Sequence, residues 1–391
     1  MNFVDFSPDF PPNFYPFAVE LRRAGVTVLG LGESAYDSLR PELRSALNEY
    51  YRVSSLHDYD DLVRALGYFT FRHGKIDRLE SHNEYWLESD ARLRNDFNIP
   101  GFHTQDLTRI KRKSEMKAVF ARANVPAARG RVVETLEDAL SLVDEVGFPV
   151  IAKPDIGVGA ARTYKLRSRS ELEEFFANKP LADYIFEEFI EGAIETYDGL
   201  TDQDGRIVFS SSMEYSEGVM DIVNHQLDFW YVARREIPSD LDALGRRLVK
   251  AYGVRERFFH FEFFRTPEKK LVALEVNMRP PGGLTTDMWN YANDIDIYRE
   301  YASVVARNRF DARVDRPYYC AYLGRRFQHR YTHSIEEARQ AFPGRVCYSG
   351  AISGVFAAAI GDFGILVRAP EIEEIEEMAA YLLAREDGSE G

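Results

Sequence analysis

The chemistry of this sequence concentrates in two glutamates set among apolar residues. In FHFEFFRTPEKKLVALEVNMRPPGG, residues 259–283, two apolar runs flank PEKK, which is a hairpin signal. Glu262 lies in the first run and Glu275, thirteen positions on, in the second, so a hairpin sets them side by side. Carboxylates crowded together away from water repel one another and need a cation between them. Hard oxygen ligands suit Mg2+, which keeps waters and completes its shell with substrate phosphate oxygens. Asn277 follows on the same strand face and offers a neutral third oxygen. Arg279 continues that face with a planar fork for a carboxylate or a transferring phosphate. The competing reading pairs the two acids with Arg265, Lys269 or Lys270 on a solvated hairpin.

This E-x-N-x-R string with an upstream acid at hairpin spacing resembles the ATP-grasp superfamily, over about residues 106–305. The resemblance implies two β-rich lobes holding ATP, with Glu262, Glu275 and Asn277 around Mg2+, for which Mn2+ can substitute. It implies that Lys153, at the end of GFPVIAKP, meets the α- and β-phosphates, and that Gly157 and Gly159 let backbone amides cover phosphate. Lys113, thirteen residues before Pro126, matches the early lysine that reaches the nucleotide, with Lys111 and Arg112 as alternatives. Asn124 stands where relatives carry glycine and can adopt the same left-handed helix end. EEFIEG, residues 187–192, resembles the adenine strand: Glu187 accepts from the amino group, and backbone groups of Phe189 and Ile190 complete the contact. Glu195 falls at a ribose position. Arg279 would steer the carboxylate, Gly282 and Gly283 would present amides to an acyl phosphate, and one of Arg234 and Arg235 would stabilise the transferring phosphoryl group. Of that pair Arg234 is the one assigned a catalytic role. His225 is isolated and is given none.

Bulk properties bound these expectations. A chain of 391 residues, 45% hydrophobic and 29% charged, suggests a folded protein of two or three domains. No apolar stretch reaches membrane-spanning length, and MNFVDFSPDFPP does not read as a secretory signal. Cys320 and Cys347 fit neither a disulfide framework nor a zinc site, so a reducing cytoplasm is expected. A formal charge of −14 argues against nucleic acid as a partner. The expected partners are a small-molecule carboxylate and an amine, and the resemblance allows a homodimer.

The positioning elements follow from periodicity. Strand–helix alternation over residues 1–104 (FYPFAVELRRAG, then VTVLGLG) predicts an N-terminal open α/β domain. Gly30 and Gly32 after that strand raise a dinucleotide site, but GxGxxG is incomplete. Residues 105–308 are expected to form the ATP-grasp domain, with a lid at about 130–186. Within it VIAKP and DYIFEEFI read as strands, TYDGLTDQDGRIVFSSS as two strands around a DG turn, and 214–236 as a loop over the substrate. Residues 309–391 read as a small α+β domain, with PYYCAYLGRR, RVCYSGAISGVFAAAI and GILVRAP as strands and REDGSEG as a frayed tail. The resulting fold class is α/β and α+β. The expected activity is an ATP-dependent carboxylate–amine ligase working through an acyl phosphate. A biotin carboxylase-like enzyme and a non-catalytic nucleotide binder are the alternatives.

Overall fold

Parallel strands open the chain, as its strand–helix alternation demands. The computed structural model describes residues 1–157, 162–216 and 228–386; Gly159, His225 and the last five residues lie outside them. The N-terminal unit contains β1 (Asn2–Phe6), α1 (Tyr15–Arg23), β2 (Thr27–Gly32), α2 (Pro41–Ala46), β3 (Glu49–Arg52), α3 (Tyr59–His73), β4 (Arg78–Glu80) and α4 (Leu87–Asp96). Its four strands pair in parallel in the order β3-β2-β1-β4. A Cβ at Gly30 would lie 2.8 Å from Leu47, and one at Gly32 2.6 Å from the Tyr50 hydroxyl. These glycines serve close packing beneath Tyr50, which accounts for them without a dinucleotide.

Two helices lead onward, α5 (Thr104–Lys111) and α6 (Lys113–Arg122), and the basic run marks their junction. Asn124 ends α6 with φ of 53°, the left-handed conformation its amide tolerates. An antiparallel lid sheet follows, from β5 (Gly130–Val133), α7 (Leu136–Val146), β6 (Val150–Pro154), β7 (Tyr164–Leu166), α8 (Arg169–Ala177) and β8 (Tyr184–Glu188), in the order β5-β8-β6-β7. Next come β9 (Ala193–Thr201), β10 (Ile207–Ser211), β11 (Met213–Tyr215), β12 (Phe229–Ala233), α9 (Ser239–Tyr252), β13 (Phe258–Arg265), β14 (Leu271–Asn277), α10 (Thr285–Asn293) and α11 (Ile297–Arg307). The segment expected as a loop at 214–236 therefore has strands at both ends, and residues 217–227 lie outside the described ones.

The C-terminal elements are β15 (Tyr319–Arg325), α12 (Ile335–Ala341), β16 (Val346–Ala351), α13 (Gly354–Ile360), β17 (Phe363–Ala369) and α14 (Ile372–Leu383). Their strands build no separate sheet. They extend the central one, ordered β14-β13-β9-β11-β12-β15-β17-β16 with β10 on β9, through the β12–β15 pairing. GVFAAAI, expected as strand, is the helix α13: an alanine-rich run with no alternation favours helix, and Gly361 ends it with φ of 91°.

The N-terminal unit does not stand apart. Phe3, Phe14 and Phe17 share one core with Phe258, Trp289 and Tyr301 of the central unit. Among the described residues no helix is long and apolar enough to cross a membrane.

Candidate functional site

The lid sheet and the central sheet face each other across a cleft of about 1460 Å³. Lys113, Lys153, Glu187, Phe189, Ile190, Glu195, Arg234, Glu262, Glu275, Asn277 and Arg279 all line it. Residues scattered over more than 160 positions of sequence thus converge, because β6 and β8 form one wall and β9, β13 and β14 the other.

The hairpin behaves as its pattern requires. β13 and β14 pair antiparallel with Glu262 opposite Glu275 and His260 opposite Asn277. Opposed residues on neighbouring strands hold their Cβ atoms about 5 Å apart. Two carboxylates there repel by roughly 4 kcal/mol at 4 Å in protein surroundings. Arg265 does not relieve them: it turns to Asp240 and to Glu195 (Nη2–Oε2 3.0 Å). The solvated-hairpin reading is therefore overturned for Arg265, and neither Lys269 nor Lys270 is ion-paired to either acid.

Each acid instead has one ion-pair partner among the described residues. Lys113, buried at the start of α6, lies 3.5 Å from Glu275 and donates to the Gly157 carbonyl at 2.8 Å. His260 Nε2 meets Glu262 Oε1 at 3.0 Å, while Nδ1 meets Asp198 Oδ1 at 2.6 Å. Burial alone would lower His260, but the charges of Asp198 and Glu262 outweigh it and raise the imidazole to about 9. Burial presses Glu262 upward; the hydrogen bond and charge of His260, with Arg279 and Lys153, hold it below the usual carboxylate range. Among the described residues no three His, Cys, Asp or Glu side chains converge on a metal position. Two carboxylates and the amide oxygen of Asn277 are what remains, a sparse oxygen set that suits Mg2+ sharing its shell with phosphate and water.

The acids on the lid side of the cleft are differently placed. Glu187, on β8, is gripped by Lys117 at 2.5 Å and Lys153 at 2.6 Å. Burial would raise its pKa, yet the two lysines keep it below the ordinary value. Burial also lowers Lys117, against the pull of Glu187. Phe189 and Ile190 line the cleft just beyond, with the Lys165 ammonium 3.5 Å over the Phe189 ring. Asp155, fully buried after β6, accepts from the Ser114 amide at 2.8 Å and pairs with Arg112 at 3.1 Å. That contact pins the lid to the start of α6 and turns Lys113 into the cleft, whereas Lys111 pairs with Glu88. Of the three candidates in the basic run, Lys113 is the one in place.

Two expected ligand contacts are occupied by protein partners in the structure. Arg234 was expected at the transferring phosphoryl group, but its guanidinium bridges Glu214 (2.6 Å) and Glu195 (3.1 Å). Arg235 faces away, donating to the Pro370 and Arg316 carbonyls. Glu195 was expected to await ribose, but Arg234 and Arg265 already engage both its oxygens. Thr196, not Glu195, is the β9 residue opposite Glu262, and Glu195 lies in the cleft wall between its two arginines.

Gly282 and Gly283 do not line the cleft. Gly282 O accepts from Thr285, and Gly283 O from Asn13 of the N-terminal unit at 2.7 Å, with Gly283 at φ of 64°. Arg279 extends over this turn toward Glu84, 4.0 Å away. Burial pushes Glu84 up, and its Oε2 has no hydrogen-bond partner.

Sequence reasoning missed Lys117, His260, Asp198, Asp155 and Glu84. Lys117 was findable, one helical turn after Lys113, and so was His260, two residues before Glu262 on the same strand face. The other three carry no local signal.

An antiparallel lid closing on a β-sheet that presents paired acids, with lysines from both sides, defines the ATP-grasp class. Residues 112–233 match the family model for the carbamoyl-phosphate synthase L chain ATP binding domain. That match covers about a third of the chain. It is 25% identical over 247 residues to an L-arginine-specific L-amino acid ligase of Bacillus subtilis, covering 58% of this chain and 59% of that enzyme. Among solved structures, an L-amino acid ligase from Bacillus licheniformis superposes with a TM-score of 0.74 at 15% identity, over 97% of this chain and 95% of that one. The biotin carboxylase domain of Hydrogenobacter thermophilus 2-oxoglutarate carboxylase, in complex with MgADP, ADP and bicarbonate, gives 0.70 at 16% identity, over 97% and 89%. At such identities the likeness to these structures establishes the fold.

Proposed function

We propose that this protein is an ATP- and Mg2+-dependent ligase joining a small carboxylic acid to an amine. One observation carries the proposal: Glu262 and Glu275 are direct cross-strand partners, with Asn277 beside them, in a cleft that also holds Lys113 and Lys153. A pair of crowded acids amid phosphate-binding cations fits a metal–triphosphate, and the ligase relatives support the reaction type.

In this reading the substrate carboxylate oxygen attacks the γ-phosphorus of ATP, and the bond to the bridging oxygen breaks to release ADP. The amine then attacks the acyl carbon of the resulting acyl phosphate; the C–O bond breaks, phosphate leaves and the amine proton passes to solvent. Bound Mg2+, or Mn2+ in its place, would draw charge from the phosphates, with Glu262, Glu275 and Asn277 as its protein ligands. Lys113 and Lys153 neutralise phosphate oxygens, and Gly157 lets the backbone approach them. Glu187, relieved of one lysine as that lysine turns to phosphate, accepts from the adenine amino group beside Phe189 and Ile190. Arg279 holds the acid substrate over the Gly282–Gly283 turn. Arg234 is assigned to fixing Glu195 and Glu214. In domain terms, residues 1–104 cover the acid end, residues 105–308 carry the nucleotide with a lid at 130–186, and residues 309–391 extend the sheet.

The test is ADP release over a matrix of acids and amines, with mass detection of the conjugate. ADP formed only when a matched pair is present supports the ligase. ADP formed only with biotin and bicarbonate would replace it by a carboxylase, and no ADP under any pairing would leave a nucleotide binder.

A further inference from the structure

The acids at the metal corner differ in how their side chains are held. Lys113 approaches Glu275 from a separate helix at 3.5 Å and also reaches a backbone carbonyl. As a long ammonium side chain, it can swing to phosphate when nucleotide arrives. His260 has no such freedom. It is 5% exposed, and both ring nitrogens are engaged by carboxylates.

Behind it the hydrogen-bond chain continues. Asp198, fully buried, accepts from the Thr196 hydroxyl at 2.5 Å through Oδ2 while Oδ1 faces His260. Thr196 in turn accepts from the Met213 amide at 3.1 Å. Asp198 and Thr196 are the β9 partners opposite His260 and Glu262 in the strand register. Three adjoining strands, β11, β9 and β13, thus anchor a rigid relay whose last link is one oxygen of Glu262.

On the basis of the ligase reading above, we infer that His260 is a positioning residue: held by Asp198, it fixes Glu262 through Oε1 and presents Oε2 to the metal. A carboxylate locked through one oxygen offers the other in a single orientation, so less rotamer freedom is lost when the cation binds. His260 is not among the residues that line the cleft. Its effect is confined to metal affinity, and Lys113 cannot replace it because Lys113 has a second duty at phosphate.

The experiment measures Mn2+ binding to the full-length protein by electron paramagnetic resonance in the presence of ADP, with ADP binding in EDTA and thermal melting measured alongside. His260→Leu removes the donor and should weaken Mn2+ binding by about 10–100-fold. ADP affinity in EDTA should stay unchanged. His260→Gln, whose amide nitrogen can reach the same place, should recover most of the loss. Asp198→Asn should give an intermediate loss in protein that still melts cooperatively. Unchanged Mn2+ affinity in folded His260→Leu would overturn the inference. So would equal losses in the Leu and Gln variants, or a change in metal-free ADP binding. Glu275→Gln separates this from failure of the parent reading: if that variant still binds Mn2+ like the wild type, the metal corner itself is misplaced.

Discussion

The cleft has two acidic corners, and they are balanced in opposite ways. At the sheet end, Glu262 and Glu275 face each other with one ion-pair partner apiece among the described residues. At the other end, Glu187 is held by Lys117 and Lys153, and Glu195 by Arg234 and Arg265. Acids already saturated with cations are part of the framework or exchange partners when a ligand enters. Acids opposed to one another still lack charge, and so point to where a cation belongs. The arrangement of counter-charges, more than the mere presence of glutamates, distinguishes a metal corner from a scaffold.

That contrast can be broken by mutation. Glu275→Gln should have the largest effect, lowering ADP release by at least about 100-fold while the melting temperature holds, because it removes a ligand charge and leaves a neutral isostere. Lys153→Ala should also cost on the order of 100-fold in a coupled ADP assay, as one preorganised cation is lost from the phosphates. Arg279→Ala should raise KM for the acid about 10-fold or more with a smaller change in the KM for ATP, the signature of a lost charge-assisted contact.

At the saturated corner the effect should move from catalysis to stability. Glu195→Gln removes a charge shared by two guanidinium groups, leaving Arg234 with Glu214 and Arg265 with Asp240, and should cost roughly 1–3 kcal/mol in denaturant unfolding, with Mn2+ affinity untouched. A loss of Mn2+ binding in that variant would erase the distinction between the corners. The smallest effect concerns pH. Glu187 is held below its ordinary value of 4.5, so its ion pairs add stability above that pH, and the gain vanishes as pH falls through the folded value. The gap in melting temperature between wild type and Glu187→Gln should therefore narrow as the pH is taken from neutrality to below 4.5.

Much of the fold was legible wherever apolar residues alternate or a turn residue punctuates them. The hairpin around PEKK, the strand of VIAKP and the two strands around Gly205 all formed at their expected places. One feature was misread and another left unread because local pattern is silent about them. GVFAAAI has no alternation to distinguish strand from helix. The joining of β15 to β12 depends on pairing across about 90 residues, which no local signal encodes.

The sequence by itself determined the acid pair: a short turn between two strands sets Glu262 opposite Glu275, with Asn277 two residues on, despite a register shift after Glu262. Only the tertiary structure decided which cation serves which acid. Lys117 and Lys153 reach Glu187 from a helix and a strand far apart in the chain, and Asp198 meets His260 across 62 positions. The physical reason is that alternation fixes the face on which a side chain emerges, whereas its partner is set by how separate elements pack. Charge pairing is a property of packing, so it became visible only once the lid, the helix and the sheet were in place.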